Sequence, residues 1–228
     1  MEERHEKNKK TTFSLYSYKL LMPILFLCVL FFILPSIMGI GYSFTNWRAD
    51  SDVLEFIGFK NFTRIFQDRT ILLAIKNTFI YTVFTVIGKN IAGLVLATFL
   101  NVQFKSKNIL RGIFYLPSIL STVAIGVVFT SVLHPTGPLN NMLGSIGLSF
   151  LQQNWLDNRD IVMYSIGGVA VWMMAGYHMT IYLAGYQSIP NDYYEAAKID
   201  GANAVQRFFR ISVPMLRPSF NMNIMLSH

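Results

Sequence analysis

Long apolar runs alternate with short polar segments along this chain, and each run is long enough to cross a lipid bilayer as a helix. The pattern predicts four membrane-spanning helices, at residues 20–42, 78–100, 113–133 and 161–185. A fifth apolar run begins near residue 215 and reaches residue 228, so we expect a partial fifth span within which the sequence stops. The predicted fold class is therefore an all-α integral membrane protein.

The first 19 residues are polar and rich in basic side chains, which is also how a secretory signal peptide begins. However, the apolar run that follows is too long for the core of a signal peptide and has no convincing small-residue cleavage site. We therefore assign residues 1–19 to a tail and residues 20–228 to one transmembrane domain. With a cytoplasmic N-terminus, twelve of the nineteen Lys and Arg residues fall in cytoplasmic segments and five in outer ones, as the positive-inside rule expects.

Composition supports a membrane protein and excludes several other classes. Hydrophobic residues make up 53% of the chain and charged residues only 14%, which is unlike an ordinary soluble domain. The net charge of +7 follows the predicted topology and is not the footprint of a nucleic-acid-binding surface. The single cysteine, Cys28, lies in an apolar run and cannot form a disulfide within the chain, and no spacing of Cys and His indicates a metal site.

Two of the predicted spans carry polar or aromatic residues that are candidates for lining a solute pathway. Lys89 and Asn90 lie near the middle of the second span, where a charge is costly unless it faces protein or a water-filled cavity. For Lys89 two interpretations stay open: it lines a pathway, or it faces a neighbouring helix or snorkels toward the interface. Trp172 and Tyr177 in the fourth span could stack on a sugar ring, although helix packing and interfacial anchoring explain them more simply.

The polar stretch at 189–214 is the most organised segment outside the apolar runs. Asp192 and Glu195 are spaced as a capping box, so they predict a helix start just after a proline. Gly201 lies where such a helix would end with a positive φ angle, and a second helical pattern covers residues 204–211. The stretch therefore predicts two short helices joined by a glycine, a shape that both docking elements and ordinary loops adopt.

The residues of this stretch also carry a family resemblance. A Glu-Ala-Ala triplet is followed at fixed distances by a glycine, an isoleucine and a Val-Pro pair. This spacing resembles the EAA loop of bacterial ATP-binding-cassette (ABC) importer permeases, in the carbohydrate-uptake branch related to the maltose permease. Val213 departs from the family pattern, which has Leu there. The residues that would form the ATPase-coupling element are Glu195, Ala196, Ala197, Asp200, Gly201, Ile211 and Pro214.

The resemblance implies a fold and a set of partners. The fold would be a type I ABC importer transmembrane bundle, in which the loop at 189–214 couples the permease to a cytoplasmic ATPase. The chain would act with a second homologous permease, two ABC ATPase subunits and an extracytoplasmic solute-binding protein, in the bacterial cytoplasmic (inner) membrane. Its solute would be a sugar or oligosaccharide, with a non-sugar such as glycerol phosphate as the alternative. Family members continue through a fifth and a sixth span, so we expect this chain to be truncated within its fifth.

The sequence lacks the motifs of an enzyme. It contains no Gly-x-x-x-x-Gly-Lys-Ser/Thr phosphate-binding loop, since Gly88-Lys89-Asn90 has the wrong neighbours for one. No catalytic arrangement of side chains is recognisable either, so we expect no cofactor in this chain and ATP bound by partner subunits.

An ion-coupled secondary transporter, the less favoured alternative, would have acidic residues within its spans, whereas the charge identified within a span is Lys89. A membrane anchor or sensor would have a linker to a soluble domain, and none is recognisable.

Overall fold

The computed structural model describes residues 18–48, 54–102 and 105–227, with side chains from residue 21 onward. Within these residues every regular element is helical, and the β pairing is limited to one isolated bridge between Thr45 and Phe56, which confirms the predicted all-α class. The predicted tail at 1–19 lies outside the described residues except for its last two positions. The chain forms two compact units, Met1–Leu73 and Ala74–His228.

The described part of the first unit contains a long helix with a π-helical turn within it. Helix α1, Tyr18–Cys28, runs into the π-helical turn Val29–Ile33, which in turn runs into α2, Leu34–Tyr42. Pro35 lacks the backbone N–H that an α-helical bond needs, and this accounts for the change of hydrogen-bond pattern just before it. The first apolar run, predicted to span the membrane at 20–42, is therefore helical throughout.

A short helix, α3, Lys60–Gln67, follows in the same unit. The side-chain amide of Asn61 donates hydrogen bonds to the carbonyls of Ser43 at 2.9 Å and Thr45 at 2.8 Å. Phe44 and Phe62 also pack together, with ring centroids 5.4 Å apart. These contacts hold α3 against the segment that follows α2.

The third predicted span, 113–133, is interrupted in the structure. Its residues belong to α5, Lys107–Ile119, and to α6, Thr122–Val132, and this helix pair is bent by 95°. The two residues between the helices have extended backbone, with ψ angles of 153° and 127°. Pro117 cannot donate a backbone hydrogen bond and so weakens the last turn of α5, which explains where the break falls.

The two longest helices correspond to the predicted second and fourth spans. Helix α4, Arg69–Leu100, contains the span predicted at 78–100 and begins earlier, and the helix Val162–Gln187 covers nearly all of 161–185. Among the described residues, these helices and Leu21–Tyr42 are long and apolar enough to cross a membrane, and the bent pair of α5 and α6 could make a fourth crossing.

Short elements lie on both sides of the helix Val162–Gln187, which is α8. Before it come α7, Pro138–Ser145, and a 3-10 turn, Ser149–Leu151. After it come α9, α10, a π-helical turn, α11 and α12, which occupy Asn191–Ile199, Ala204–Arg207, Phe208–Ser212, Val213–Met215 and Arg217–Met225. The two short helices predicted within 189–214 are α9 and α10, and the partial span predicted from residue 215 corresponds to α12.

Helix α8 lies at the centre of the second unit. Small residues let its neighbours approach closely, since a Cβ atom added at Gly93 of α4 would lie 2.7 Å from the Cβ of His178 on α8. The buried apolar core contains residues from α4, from α8, from the segment between α8 and α9 and from the start of α12, namely Ala97, Leu100, Met179, Tyr182, Leu183, Tyr186, Ile189 and Leu216. This core supports the loop that follows α8.

Candidate functional site

The loop at 189–214 has the two-helix shape that the sequence predicts. Gly201 ends α9 with a φ angle of +76°, in the left-handed region that glycine adopts without cost, so the predicted glycine stop is confirmed. Its N–H donates to the carbonyl of Lys198 at 3.1 Å, and the N–H of Ala202 donates to the carbonyl of Ala197 at 2.9 Å. These bonds fix the angle at which the chain leaves α9.

The predicted capping box at the start of α9 is wrong. Helix α9 begins at Asn191, two positions earlier than a cap at Asp192 requires, and Pro190 at the cap position provides no side-chain acceptor. Asp192 instead lies in the first turn, where its negative charge is favourable next to the positive end of the helix dipole.

A capping box is present at the start of α10 instead. The N–H of Gln206 donates to Asn203 Oδ1, and the N–H of Asn203 donates to Gln206 Oε1, both at 2.9 Å. The Asn-x-x-Gln spacing directly before the second helical pattern is the sequence signal that could have revealed it. The second short helix is therefore fixed at its own N-terminus.

Hydrogen bonds and core packing hold the loop in place. The hydroxyl groups of Tyr194 and Ser212 are hydrogen bonded at 2.9 Å, which joins α9 to the π-helical turn after α10. Arg207 donates to the carbonyl of Ala202 at 2.8 Å, and Ile189 is buried in the core. The two hydrogen bonds fix α9 and α10 relative to each other, and Ile189 and Tyr194 pack the loop against the core of the bundle.

Much of the surface of the loop at 189–214 is exposed. Of the residues singled out from the sequence, Glu195, Ala196, Asp200, Gly201 and Pro214 are exposed, whereas Ala197 and Ile211 are partly buried. Large apolar side chains are exposed beside them, and the most exposed is Ile199 at 87%. The others are Tyr193, Val205 and Phe209. Apolar side chains exposed among polar neighbours are typical of a surface that another protein covers, and sequence reasoning had not singled them out.

A second candidate site is a cluster of polar side chains buried among α4, α8 and α12. Asn90 is at its centre: it accepts a hydrogen bond from the Tyr182 hydroxyl at 2.7 Å and donates to Ser227 Oγ at 3.2 Å. Lys89 donates to the backbone carbonyl of Ser227 at 3.1 Å. We define this polar cluster as Lys89, Asn90, His178, Tyr182, Asn223 and Ser227.

One buried donor of the polar cluster has no partner. His178 Nδ1 lies 2.7 Å from Asn223 Oδ1, and because that oxygen can only accept, the imidazole N–H donates. The amide nitrogen of Asn223, in a fully buried residue, is left without a hydrogen bond among the described residues. An unpaired buried donor is costly, so this nitrogen lowers the stability of the cluster in this conformation, in which protein atoms enclose it completely.

The structure brings together only some of the predicted pathway residues. Lys89 and Asn90 both belong to the polar cluster, and the bond from Lys89 to the segment after α12 agrees with a lysine that faces a neighbouring element. Tyr177 borders the cluster through its edge-on contact with the His178 ring. Trp172 packs instead against Phe129, with ring centroids 5.2 Å apart, and is about half exposed.

Asn223 and Ser227 were not singled out from the sequence. They lie four residues apart, on one face of a helical turn, and Ser227 Oγ donates to the Asn223 carbonyl. That spacing of polar residues in the last apolar run is the signal that could have found them. Among the described residues, no group of three or more His, Cys, Asp or Glu side chains could hold a metal ion.

Replacing Tyr182 with phenylalanine tests whether the polar cluster stabilises the bundle. The variant leaves the buried Asn90 Oδ1 without a donor, so we expect a loss of about 1–3 kcal/mol in the free energy of unfolding. Tyr177→Phe is the matched control, since the Tyr177 side chain contacts the cluster through its ring. Thermal unfolding in detergent would measure both, and equal stability of the two variants would contradict the assignment.

Comparison with known proteins adds independent findings. Residues 89–227 match the family described as "Binding-protein-dependent transport system inner membrane component". The probable ABC transporter permease protein YurN of Bacillus subtilis is 34% identical over 203 residues, which cover 88% of this chain and 69% of that protein. The multiple sugar-binding transport system permease protein MsmF of Streptococcus mutans is 32% identical over 204 residues, which cover 89% of this chain and 69% of that one.

A solved structure has the same fold. The crystal structure of a bacterial ABC transporter involved in the import of the acidic polysaccharide alginate aligns with a TM-score of 0.79 at 27% sequence identity. The alignment covers 92% of this chain and 71% of that chain. A second structure of a bacterial alginate transporter, in complex with a periplasmic protein that carries an alginate pentasaccharide, aligns with a TM-score of 0.78 at 26% identity, over 92% of this chain and 70% of that one.

Proposed function

Because the chain belongs to the family of binding-protein-dependent transport system inner membrane components, we propose that it is the permease subunit of an ATP-driven importer of sugars or oligosaccharides. The sugar assignment is supported by the multiple sugar-binding transport permease and the alginate importer to which the chain is similar. The subunit pairs with a second permease, two ATPase subunits and an extracytoplasmic solute-binding protein. ATP hydrolysis takes place in the ATPase subunits, and this chain transmits its effect.

The loop at 189–214 is the element that docks on an ATPase subunit. The observation that carries this proposal is the exposed apolar surface of the loop, with Ile199 at its most exposed point, while Ile189 and Tyr194 pack the loop against the core of the bundle. Glu195, Ala196 and Gly201 lie on the same exposed surface. A rigid, exposed and partly apolar element is suited to entering a groove on a partner and moving with it.

The N-terminus and this loop lie on the cytoplasmic side. The distribution of Lys and Arg supports this orientation, with twelve of the nineteen in the segments assigned to the cytoplasm. The orientation also places the docking loop where an ATPase subunit has access to ATP.

The solute pathway passes the polar cluster. In this conformation the amide nitrogen of Asn223 is fully enclosed, so it donates to a solute hydroxyl only when α12 moves relative to α4 and α8, and Lys89 and Asn90 hold the segment after α12 in place. Tyr177 and Trp172 are the aromatic candidates for contact with a sugar ring. Since the cluster joins α4 and α8 to α12, and α12 follows the docking loop along the chain, a movement of the loop changes the cluster.

A disulfide cross-link tests the docking assignment. Ile199→Cys would be placed on a Cys28→Ser background in inside-out membranes, with single cysteines around the candidate groove of the ATPase subunit. We expect a cross-link whose yield changes when nucleotide binds. Gln187→Cys, at the exposed C-terminal end of α8, is the control position and should cross-link weakly. Labelling of the Ile199→Cys thiol from the cytoplasmic side without any cross-link would contradict docking while leaving the topology in place.

Ile199→Asp is expected to abolish ATP-driven uptake without preventing insertion of the chain. The side chain is 87% exposed, so the substitution costs little in folding, but it places a charge in the apolar contact with the ATPase subunit. Uptake of a radiolabelled oligosaccharide by reconstituted vesicles would measure the effect. Ile199→Leu, which keeps an apolar side chain, should retain most of the uptake. Normal uptake by the aspartate variant would show that this surface is not part of the interface.

A further inference from the structure

The segment between α6 and α8 forms an open polar cup that neither the docking loop nor the polar cluster explains. The cavity has a volume of about 530 Å³, within the range of small-molecule sites. The polar side chains that line the cavity are amides and one carboxylate, from Asn140, Gln152, Gln153, Asn154, Asp157 and Asn158.

Asn140 fixes the wall of the cup. This side chain is only 4% exposed, and its amide nitrogen donates to the carbonyls of Pro135 and Gln153, both at 2.9 Å. Its Oδ1 accepts the indole N–H of Trp155 at 2.8 Å, and its backbone carbonyl accepts the side-chain amide of Gln152 at 2.7 Å. The cup is therefore preorganised by a fully bonded residue beneath it.

The backbone beside the cup is equally constrained. A Cβ atom at Gly137, at the start of α7, would lie 2.8 Å from the carbonyl oxygen of Val132 and 2.9 Å from that of His134. The path of the backbone beside the cup is therefore fixed.

The rim of the cup carries polar groups that are available to a ligand. The side chains of Gln153, Asn154 and Asp157 are exposed and make no hydrogen bond with the other described residues. Amides both donate and accept, and the carboxylate accepts, so together they match vicinal hydroxyl groups, each of which also donates and accepts. Because the lining contains a carboxylate and no basic side chain, it suits a neutral ligand better than an anion.

The position of the cup relates it to transport. The cup precedes α8, whereas the docking loop follows α8. Because α8 has 26 residues, its two ends lie roughly 39 Å apart. If the docking loop is cytoplasmic, the cup lies on the outer side of the membrane, where solute arrives. We propose that the polar cup binds neutral, hydroxyl-rich solutes of the saccharide class at the outer face of the permease; the choice of saccharide and of side rests on the proposed function.

Trp155 provides a direct reporter of binding, because its indole N–H is bonded to the residue that shapes the cup. The chain contains three tryptophans, so a Trp47→Phe, Trp172→Phe background leaves Trp155 alone. The full chain in lipid nanodiscs would be titrated with maltotriose and with raffinose while Trp155 emission is recorded. We expect a saturable change with at least one of the two.

Variants of the rim then locate the binding. Replacing Gln153 and Asn154 together with alanine removes two hydrogen-bonding side chains, which corresponds to a loss of affinity of about tenfold. Asp160→Asn, an exposed position just outside the cup, is the matched control and should leave the half-saturation concentration unchanged. Thermal unfolding of the double alanine variant would show that the fold is retained.

Two results would overturn the proposal. The first is the absence of a saturable response to either saccharide. If Trp155 emission then changed only when a purified solute-binding protein was added, the cup would be a contact site for that protein. The second is a response that the double alanine variant leaves unchanged. The titration uses no ATPase subunit, so its result does not depend on whether the loop at 189–214 docks on an ATPase. Likewise, the cross-link at position 199 does not depend on whether the cup binds a saccharide.

Discussion

Gly176→Ala is expected to destabilise the helical bundle strongly, because the site has no room for even one methyl group. A Cβ atom at Gly176 of α8 would overlap the carbonyl group of Phe114 and would lie 2.7 Å from the Cα of Tyr115. These are backbone atoms of α5, so no side-chain rotation relieves the clash. Relief requires α5 and α8 to move apart, which breaks the most extensive helix contact of the second unit.

The expected cost of this substitution is about 1–3 kcal/mol, as for other overpacked sites, and larger for Gly176→Val. Gly168→Ala on the same helix is the matched control, since nothing lies within 4 Å of a Cβ atom there. Both substitutions raise helix propensity equally, so only the clash distinguishes them. Thermal unfolding of the purified variants and their abundance in membranes would provide the comparison. Equal behaviour would mean that α5 and α8 are not packed as described.

The hydrophobic pattern predicted the spans because a bilayer requires continuous apolar helices. It did not predict where a helix continues beyond the apolar run, so the start of α4 at Arg69 was not foreseen. It also did not predict the interruption between α5 and α6, since uncharged, largely apolar residues continue on both sides of the break. Hydropathy registers burial in lipid or protein but not the direction of the backbone.

The two candidate sites differed in how far the sequence could reveal them. Gly201 was identifiable because a positive φ angle at a helix end is a local property of a few residues. The polar cluster depends on which faces of three helices meet, and Asn90 and Ser227 are 137 positions apart. The misplaced capping box shows a third limit, because a shift of two residues changes which side chain can reach a free N–H.

Gly201→Pro is expected to abolish transport while leaving the membrane helices intact. Proline holds φ near −65°, whereas Gly201 has a φ angle of +76°, so the substitution cannot keep the present turn. It also removes the N–H that donates to the carbonyl of Lys198. The turn would then re-form at a different angle and move α10 relative to α9. ATP-dependent uptake by vesicles and the stimulation of ATPase activity by the solute-binding protein would measure the loss.

A graded series at Gly201 separates backbone conformation from contact with the ATPase subunit. A Cβ atom there meets nothing within 4 Å, so differences between the asparagine and valine variants within this chain arise from the φ angle, whereas proline also loses the N–H bond to Lys198. Asparagine adopts the left-handed backbone conformation readily, whereas for valine this conformation is less favourable by roughly 1–2 kcal/mol. We therefore expect uptake to fall in the order Gly, Asn, Val, Pro. If asparagine and proline were equally defective, the side chain would be obstructing the docked partner, and the glycine would matter for close approach and not for the turn.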